Sequence, residues 1–315
     1  PLADVPAEPA AVYAHAAALD RARAAPYLGL AALYQRQGAW PQVLTALEQA
    51  AAREPANTAI ALARAAAWRQ QNRPDLAVTV LTQTLQTTPG ALDVLIALAD
   101  ITQSTGVPAE NRSAALLTQA LTLAPGYAPA IVALAQAESR AGQPTAALTR
   151  LAAALNHRPG DVIVAVALAD LYQTLAQPAA AAAVLGDIRA RQPGNVSAAL
   201  ALASLYRQQG QAEEARQTLT QATAIAPLSA APWLALAQLE TSAPAIRAAF
   251  ARAAAADPAD SAAPLAAGQF ELTQGDLPAA AAAFTRSLAL NPTGPAAYIA
   301  LAQVAERQGQ AAAAQ

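Results

Sequence analysis

The chain contains no cysteine, no methionine and no lysine, and only two histidines, His15 and His157. Without cysteine there is no disulfide, no thiolate nucleophile and no thiolate metal ligand. Without lysine there is no P-loop lysine, no Schiff base and no Ser-Lys pair. Two histidines are too few for a multi-histidine zinc site and give no Ser-His-Asp constellation. No glycine-rich phosphate loop is present either. No catalytic, cofactor-binding or metal-binding residue is therefore expected, and the chain reads as non-enzymatic. All 19 cations are arginine, the charged fraction is only 13% and the net charge is −2. That balance lacks the basic footprint of a nucleic-acid binder. A chain that starts at Pro1 with no methionine is expected to be a mature or trimmed fragment.

What remains is 55% hydrophobic but only 4% aromatic. Alanine carries most of the apolar fraction, and alanine is the strongest helix former. An all-α chain built from small side chains is the expectation. Residues 113–137 carry no charge and are long enough to span a bilayer. Pro125, Gly126 and Pro129 interrupt that run at its middle, where freed backbone groups would go unpaired in lipid. The run from Gln217 to Leu239 has the same construction around Pro227. Both read as joints between buried helices, and no transmembrane segment is expected.

The 23 prolines are not scattered. Pro55, Pro89, Pro125, Pro159, Pro193, Pro227, Pro258 and Pro292 are separated by 34, 36, 34, 34, 34, 31 and 34 residues. A fixed period of this length marks a solenoid of stacked units. In register with it, the eighth residue of each unit is small: Ala31, Ala65, Ala99, Ala135, Ala169, Ala203, Ala237, Gly268 and Ala302. Eight residues before each proline stands a large apolar one: Leu47, Leu81, Leu117, Leu151, Leu185, Leu219, Phe250 and Phe284. Five before it the residue is usually small, as in Ala50, Ala120, Ala154, Ala222, Ala253 and Ser287. Small residues let two helices approach and large ones fill the space beside them. Gly38, Asn72, Gly106, Gly142, Gly210, Gly275 and Gly309 fall midway through units and suit the left-handed residue that ends a helix. Pro74, Pro108, Pro144 and Pro178 follow two residues later, at a first helical turn. Each unit is thus expected to be a hairpin of two helices of about 14 residues, each roughly 20 Å long.

The segment YLGLAALYQRQGAWPQVLTALEQAAAREP, residues 27–55, carries Tyr27, Leu30, Ala31, Tyr34, Gly38, Leu47, Ala50 and Pro55 in order. These marks resemble the tetratricopeptide repeat. The resemblance covers 24–315, as eight full repeats (24–57, 58–91, 92–127, 128–161, 162–195, 196–229, 230–260 and 261–294) and a truncated ninth, 295–315. Residues 1–23 would form an N-terminal segment with a capping helix over about 10–23. Gln315 falls inside a second helix of its repeat, so the chain is expected to continue in the full-length protein. The departures are local. Arg64 replaces the usual leucine, Ala176 replaces the turn glycine, two residues are gained near TGVPAENRS and three are lost near ETSAPAI. Those length changes are expected to fall in inter-helix loops.

The resemblance implies a right-handed α-solenoid superhelix in which the first helices line a concave groove. It places the fifth residue of each repeat in that groove: Leu28, Leu62, Ile96, Val132, Val166, Leu200, Leu234, Leu265 and Ile299, all aliphatic. The ninth position reads Ala32, Ala66, Asp100, Gln136, Asp170, Ser204, Gln238, Gln269 and Gln303, and the twelfth includes Gln35, Arg69, Gln103, Ser139, Gln173 and Arg207. An aliphatic ladder flanked by amides and hydroxyls fits a weakly charged, extended protein or peptide partner; the bland alternative is that the ladder only extends the core. The Lys/Asn/Arg clamp with which some family members hold a C-terminal carboxylate cannot form without lysine.

Other residues read as structural. His157 suits a helix C-terminus. Glu138, Glu240 and Glu271 occupy the eleventh position, where Tyr34, Trp68, Tyr172 and Tyr206 stand in other repeats, and would be edge-exposed or paired with arginine. Arg64 is expected to pack its stem and reach solvent with its guanidinium. Trp40 and Trp233 read as packing residues, with an exposed contact as the alternative for Trp40, which sits in a turn. Three functions fit: an interaction scaffold, with cell-envelope export or assembly as its expected setting; a substrate-recruiting arm of a larger enzyme such as a glycosyltransferase; and a spacer that self-associates through an open C-terminal helix face. The periplasm is the expected compartment, with the cytoplasm as the alternative.

Overall fold

The computed structural model describes residues 9–19, 23–104, 110–292 and 294–313. The chain divides into two compact units, Pro1–His157 and Arg158–Gln315. The first holds α1 (Pro9–Leu19), α2 (Ala25–Arg36), α3 (Trp40–Arg53), α4 (Thr58–Gln70), α5 (Pro74–Thr87), α6 (Leu92–Ser104), α7 (Glu110–Leu123), α8 (Ala128–Arg140) and α9 (Pro144–His157). The second holds α10 (Val162–Thr174), α11 (Pro178–Arg191), α12 (Val196–Gln208), α13 (Ala212–Ile225), α14 (Ala230–Ala237), α15 (Ala243–Ala256), α16 (Ala262–Gln274), α17 (Leu277–Leu290) and α18 (Pro295–Ala313). Helix is the only regular structure among the described residues, and the fold is an all-α array of helical hairpins.

The pairings follow from the residue pattern. In α3, Val43, Leu44, Ala46, Leu47 and Ala50 form one buried stripe, the spacing that lets a helix lie against its neighbour along one face. Within each unit, the first helices from α2 to α16 pack on their own second helices, and the second helices pack on the next hairpin of the same unit. First helices also touch one another, α4 to α6 to α8 in the first unit and α10 through α12, α14 and α16 to α18 in the second. They therefore make a continuous face from α4 to α8 in the first unit and from α10 to α18 in the second. In the first unit α1 packs on α2, and Gly29 leaves room for the ring of Tyr13.

Turn chemistry closes the hairpins. Gly38, Asn72, Gly142, Gly210 and Gly275 all have positive φ, and so does Ala176, at +56°. Gly106 lies outside the described residues, as do Pro108 and most of the two-residue insertion. Between hairpins the chain turns at the periodic prolines, and after Pro55, Pro159 and Pro193 the side chain two residues further on caps the next helix. Asn57 accepts from the amides of Ala59 and Ile60, Asp161 from that of Val164 and Asn195 from that of Ala198. These caps satisfy amides that a helix start leaves open. Pro125 sits in the turn between α7 and α8, which resolves the uncharged stretch as a joint. Among the described residues no helix is long and apolar enough to cross a membrane.

Three expectations are corrected. The three-residue loss near ETSAPAI is not absorbed in the loop alone: α14 has only 8 residues, and Glu240 lies beyond its end. Ser242 and Pro244 start α15 at once, so the first helix gives up its last turn. Gly309 does not break the last repeat, because α18 runs through it to Ala313. Elsewhere a second helix folds back and holds the turn. Here Gln310 and the alanines after it, strong helix formers, prolong the first helix instead. Ala302 is consequently exposed, although the other small residues at that position are buried. The third concerns Phe250. Every other large residue eight before a proline is buried, from Leu47 to Phe284, whereas Phe250 is only half-buried.

Candidate functional site

The first helices carry the groove positions. In the first unit Leu28 stands on α2, Leu62 on α4, Ile96 on α6 and Val132 on α8. In the second, Val166 stands on α10, Leu200 on α12, Leu234 on α14, Leu265 on α16 and Ile299 on α18. None of the nine is buried: Leu28 and Ile299 are 36% and 61% exposed, and the other seven are half-buried. An aliphatic row with one side open to water is the surface that a docking chain can cover.

The flanking polar residues divide by unit. In the first, Arg69 on α4 forms an ion pair with Asp100 on α6 at 2.9 Å. Arg140 on α8 donates to the Gln103 side chain on α6. Arg140 was not picked out from sequence, since it lies one residue past the groove positions. Gln35 and Gln136 are exposed on the same face. Asp100 balances the charge of Arg69, Gln103 holds Arg140 without cancelling its charge, and both bonds tie neighbouring first helices together.

In the second unit Leu200, Ser204 and Arg207 on α12 meet Gln238, which caps the end of α14, around one small pocket of about 80 Å³. Ala203, Leu219, Ala235 and Leu239 complete its walls. Early termination of α14 puts the Gln238 amide at this rim. Gln269 and Gln303 are exposed further along, and Gln173 is half-exposed on α10. Asp170 shares its repeat position with Asp100, yet among the described residues no hydrogen bond or ion pair reaches its carboxylate. Partial burial among its neighbours pushes its carboxyl above the usual carboxylate range.

Residues weighed separately fall as follows. Glu138 is bound by Arg150 at 2.5–3.1 Å and Glu271 by Arg247 at 2.6–2.7 Å, while Glu240 lies 3.9 Å from Arg216. The pairing with arginine holds, but Glu271 is buried rather than edge-exposed. Arg64 is half-buried, and its Nε is sealed from solvent with no hydrogen-bond partner among the described residues. Trp40 begins α3 and packs on the core, as its packing reading expects. Trp233 packs between hairpins beneath the Arg252 guanidinium, 4.9 Å away. His15 and His157 are exposed, the latter as the last residue of α9.

Tetratricopeptide repeat models match residues 28–91, 111–171, 175–239, 234–295 and 265–314. Together they span most of the chain, which belongs to the tetratricopeptide repeat family. Such repeats mediate protein–protein interaction and are typically non-catalytic scaffolds. Comparison with curated proteins gave no match. Among solved structures, the APC/C hetero-tetramer Cut9-Hcn1 is 15% identical over 89% of this chain, with a TM-score of 0.43. This chain spans 55% of the length of that one. A tetratricopeptide repeat protein from Parabacteroides merdae is 16% identical over 78% of this chain and 97% of its own, with a TM-score of 0.44. One from Thermus thermophilus is 22% identical over 57% of this chain and 96% of its own, with a TM-score of 0.43.

Proposed function

We propose that the protein is a non-enzymatic scaffold whose first-helix face holds an extended, weakly charged segment of a partner protein. The observation that supports it most directly is the junction of α12 and α14, where Leu200, Ser204, Arg207 and Gln238 surround one pocket. An aliphatic floor there supplies contact area, and the hydroxyl and amide at the rim can bond the backbone of an extended chain. The Arg69–Asp100 pair is charge-balanced, which takes one cation and one anion of this face out of play for an ionic ligand. A rigid array presents this surface without reshaping, so binding costs little conformational entropy. The lack of cysteine and the richness in Gln, Thr and Ala fit an envelope setting of export or assembly.

The test is selection of displayed random dodecapeptides on the purified chain, followed by titration of the winners. Their affinity should change by no more than about threefold between low and moderate salt, because exposed charge pairs alone are strongly screened. Leu200→Arg should weaken binding about tenfold, while Thr79→Arg on the outer surface of α5 should leave it unchanged. A steep loss with salt, or indifference to Leu200→Arg, would sink the reading.

A further inference from the structure

A second concavity lies in the second unit, away from the groove face. It has a volume of about 360 Å³ and is enclosed by α15, α16 and α17. On α16 its walls are Ala263, Pro264, Ala267 and Glu271. These leave the helix about 160° from Leu265 and Gln269, the groove residues of the same helix. The pocket is therefore separate from the ladder.

Two features of the sequence open it. The first is Phe250. Its equivalents in the other repeats are fully packed, whereas the ring of Phe250, in a repeat whose small residue is Ala237 where that of Phe284 is Gly268, stays half-exposed. It lies tilted against Phe270 with ring centroids 6.2 Å apart. The second is Glu271, which takes a position occupied by tyrosine or tryptophan in four other repeats. The carboxylate fills less space than an aromatic ring, and alanines on all three helices do not make up the volume.

The charges around the pocket are unequal. Arg247 is held by two bonds to Glu271, at 2.7 and 2.6 Å, so that pair is balanced. Arg286 on α17 is exposed at the pocket, and among the described residues no hydrogen bond or ion pair engages it. An apolar hollow beside one uncompensated cation is complementary to an apolar group that carries a negative charge next to it. The volume is at the small end for ligand pockets, which run from about 300 to 1,000 Å³. It suits one large side chain better than a cofactor.

We infer that this pocket is a second docking site, which takes a Phe or Leu side chain from an acidic linear segment of a partner protein, with a flanking carboxylate on Arg286. The ring of Phe250 and the alanine walls bury the anchor, and the Arg247–Glu271 pair closes one side without adding net charge. A scaffold with sites on both faces of α16 can hold two segments at once.

The three phenylalanines of the chain make the test direct. Uniform 4-fluorophenylalanine labelling gives one fluorine signal each for Phe250, Phe270 and Phe284, assigned with Phe250→Leu and Phe270→Leu. Acetylated, amidated Glu-Leu-Phe-Glu should shift the Phe250 signal saturably and leave that of buried Phe284 unmoved. Lys-Leu-Phe-Lys and Glu-Ala-Ala-Glu should do so far less. Arg286→Glu should weaken the acidic peptide about fivefold, the upper range for an exposed charge pair, and should improve the basic one. Ala283→Leu, which fills the hollow, should abolish the shift, and Leu200→Arg in the groove should not affect it. No saturable shift, an equal response to all three peptides, or an acidic peptide indifferent to Arg286→Glu each overturns the inference. So does saturation by decanoate without saturation by any peptide.

Discussion

Gly268 on α16 and Phe284 on α17 are a matched pair. A Cβ on Gly268 would lie 2.6 Å from two carbons of the Phe284 ring, and that ring is fully buried. In most other repeats the same two positions hold alanine and leucine. The larger ring is thus admitted by the smaller partner. Gly268→Ala gains about 1 kcal/mol of helix propensity, but overpacking a closed core costs about 1–3 kcal/mol. The variant should unfold at lower urea than the parent. Adding Phe284→Leu should recover much of the loss, because it restores the alanine–leucine combination. Additive effects in this double-mutant cycle would show that the two sites are not coupled.

The turn at Ala176 allows a second test. Its φ is +56°, a region where a Cβ crowds the backbone and where other hairpins here use glycine or asparagine. Ala176→Gly should raise stability by about 1 kcal/mol. Gly38→Ala should do the opposite by a similar amount. No atom lies within 4 Å of a Cβ built on Gly38, so its loss would be one of backbone strain alone. Hydrogen exchange in the α10–α11 hairpin should slow in the first variant; unchanged exchange and an unchanged midpoint would count against strain at Ala176.

The repeat itself was legible because each hairpin must fill the same space as the last, so volume recurs at fixed positions such as Ala31 and Leu47. The left-handed turns were legible for the same reason. What escaped were features decided by context. Helix ends and loops exchange length cheaply, so the deletion near Glu240 shortened α14, and Gly309 stayed helical because helix-forming residues follow it. Groove positions could be counted along the period. The Arg140–Gln103 bond could not, since it depends on how far a long side chain reaches across two helices. The pocket beside Phe250 was hidden too, because it arises from a mismatch between residues on different elements, each ordinary for its own position.

Arg64 carries an unmet cost. It stands where the repeat usually has leucine, and its Nε is shut away from solvent with no hydrogen-bond partner. A buried donor left unpaired costs about 1–3 kcal/mol. Arg64→Leu should therefore raise the melting temperature. Arg69→Leu removes only one half of an exposed ion pair and should shift it little. A lower melting temperature for Arg64→Leu would mean that the guanidinium makes a contribution its geometry does not reveal.

Asp170 links groove and stability through pH. Partial burial raises its carboxyl above the ordinary carboxylate range, and among the described residues no cation pairs with it. The folded chain therefore keeps that proton to a higher pH than the unfolded chain, whose value is about 3.9. As pH climbs through the interval between the two values, the unfolded state releases its proton first and stability falls. Above the folded value the penalty is fully present. Asp170→Asn removes it, so this variant should melt above the parent at pH 7 and converge with it near pH 3. Asp100→Asn is the matched control. It gives up the bond to Arg69, so it should bring no gain at neutral pH. A peptide that covers the groove and buries Asp170 further should bind more tightly to Asp170→Asn than to the parent at pH 7, and that advantage should shrink on acidification. If the advantage is the same at both pH values, the Asp170 charge does not govern binding at this face.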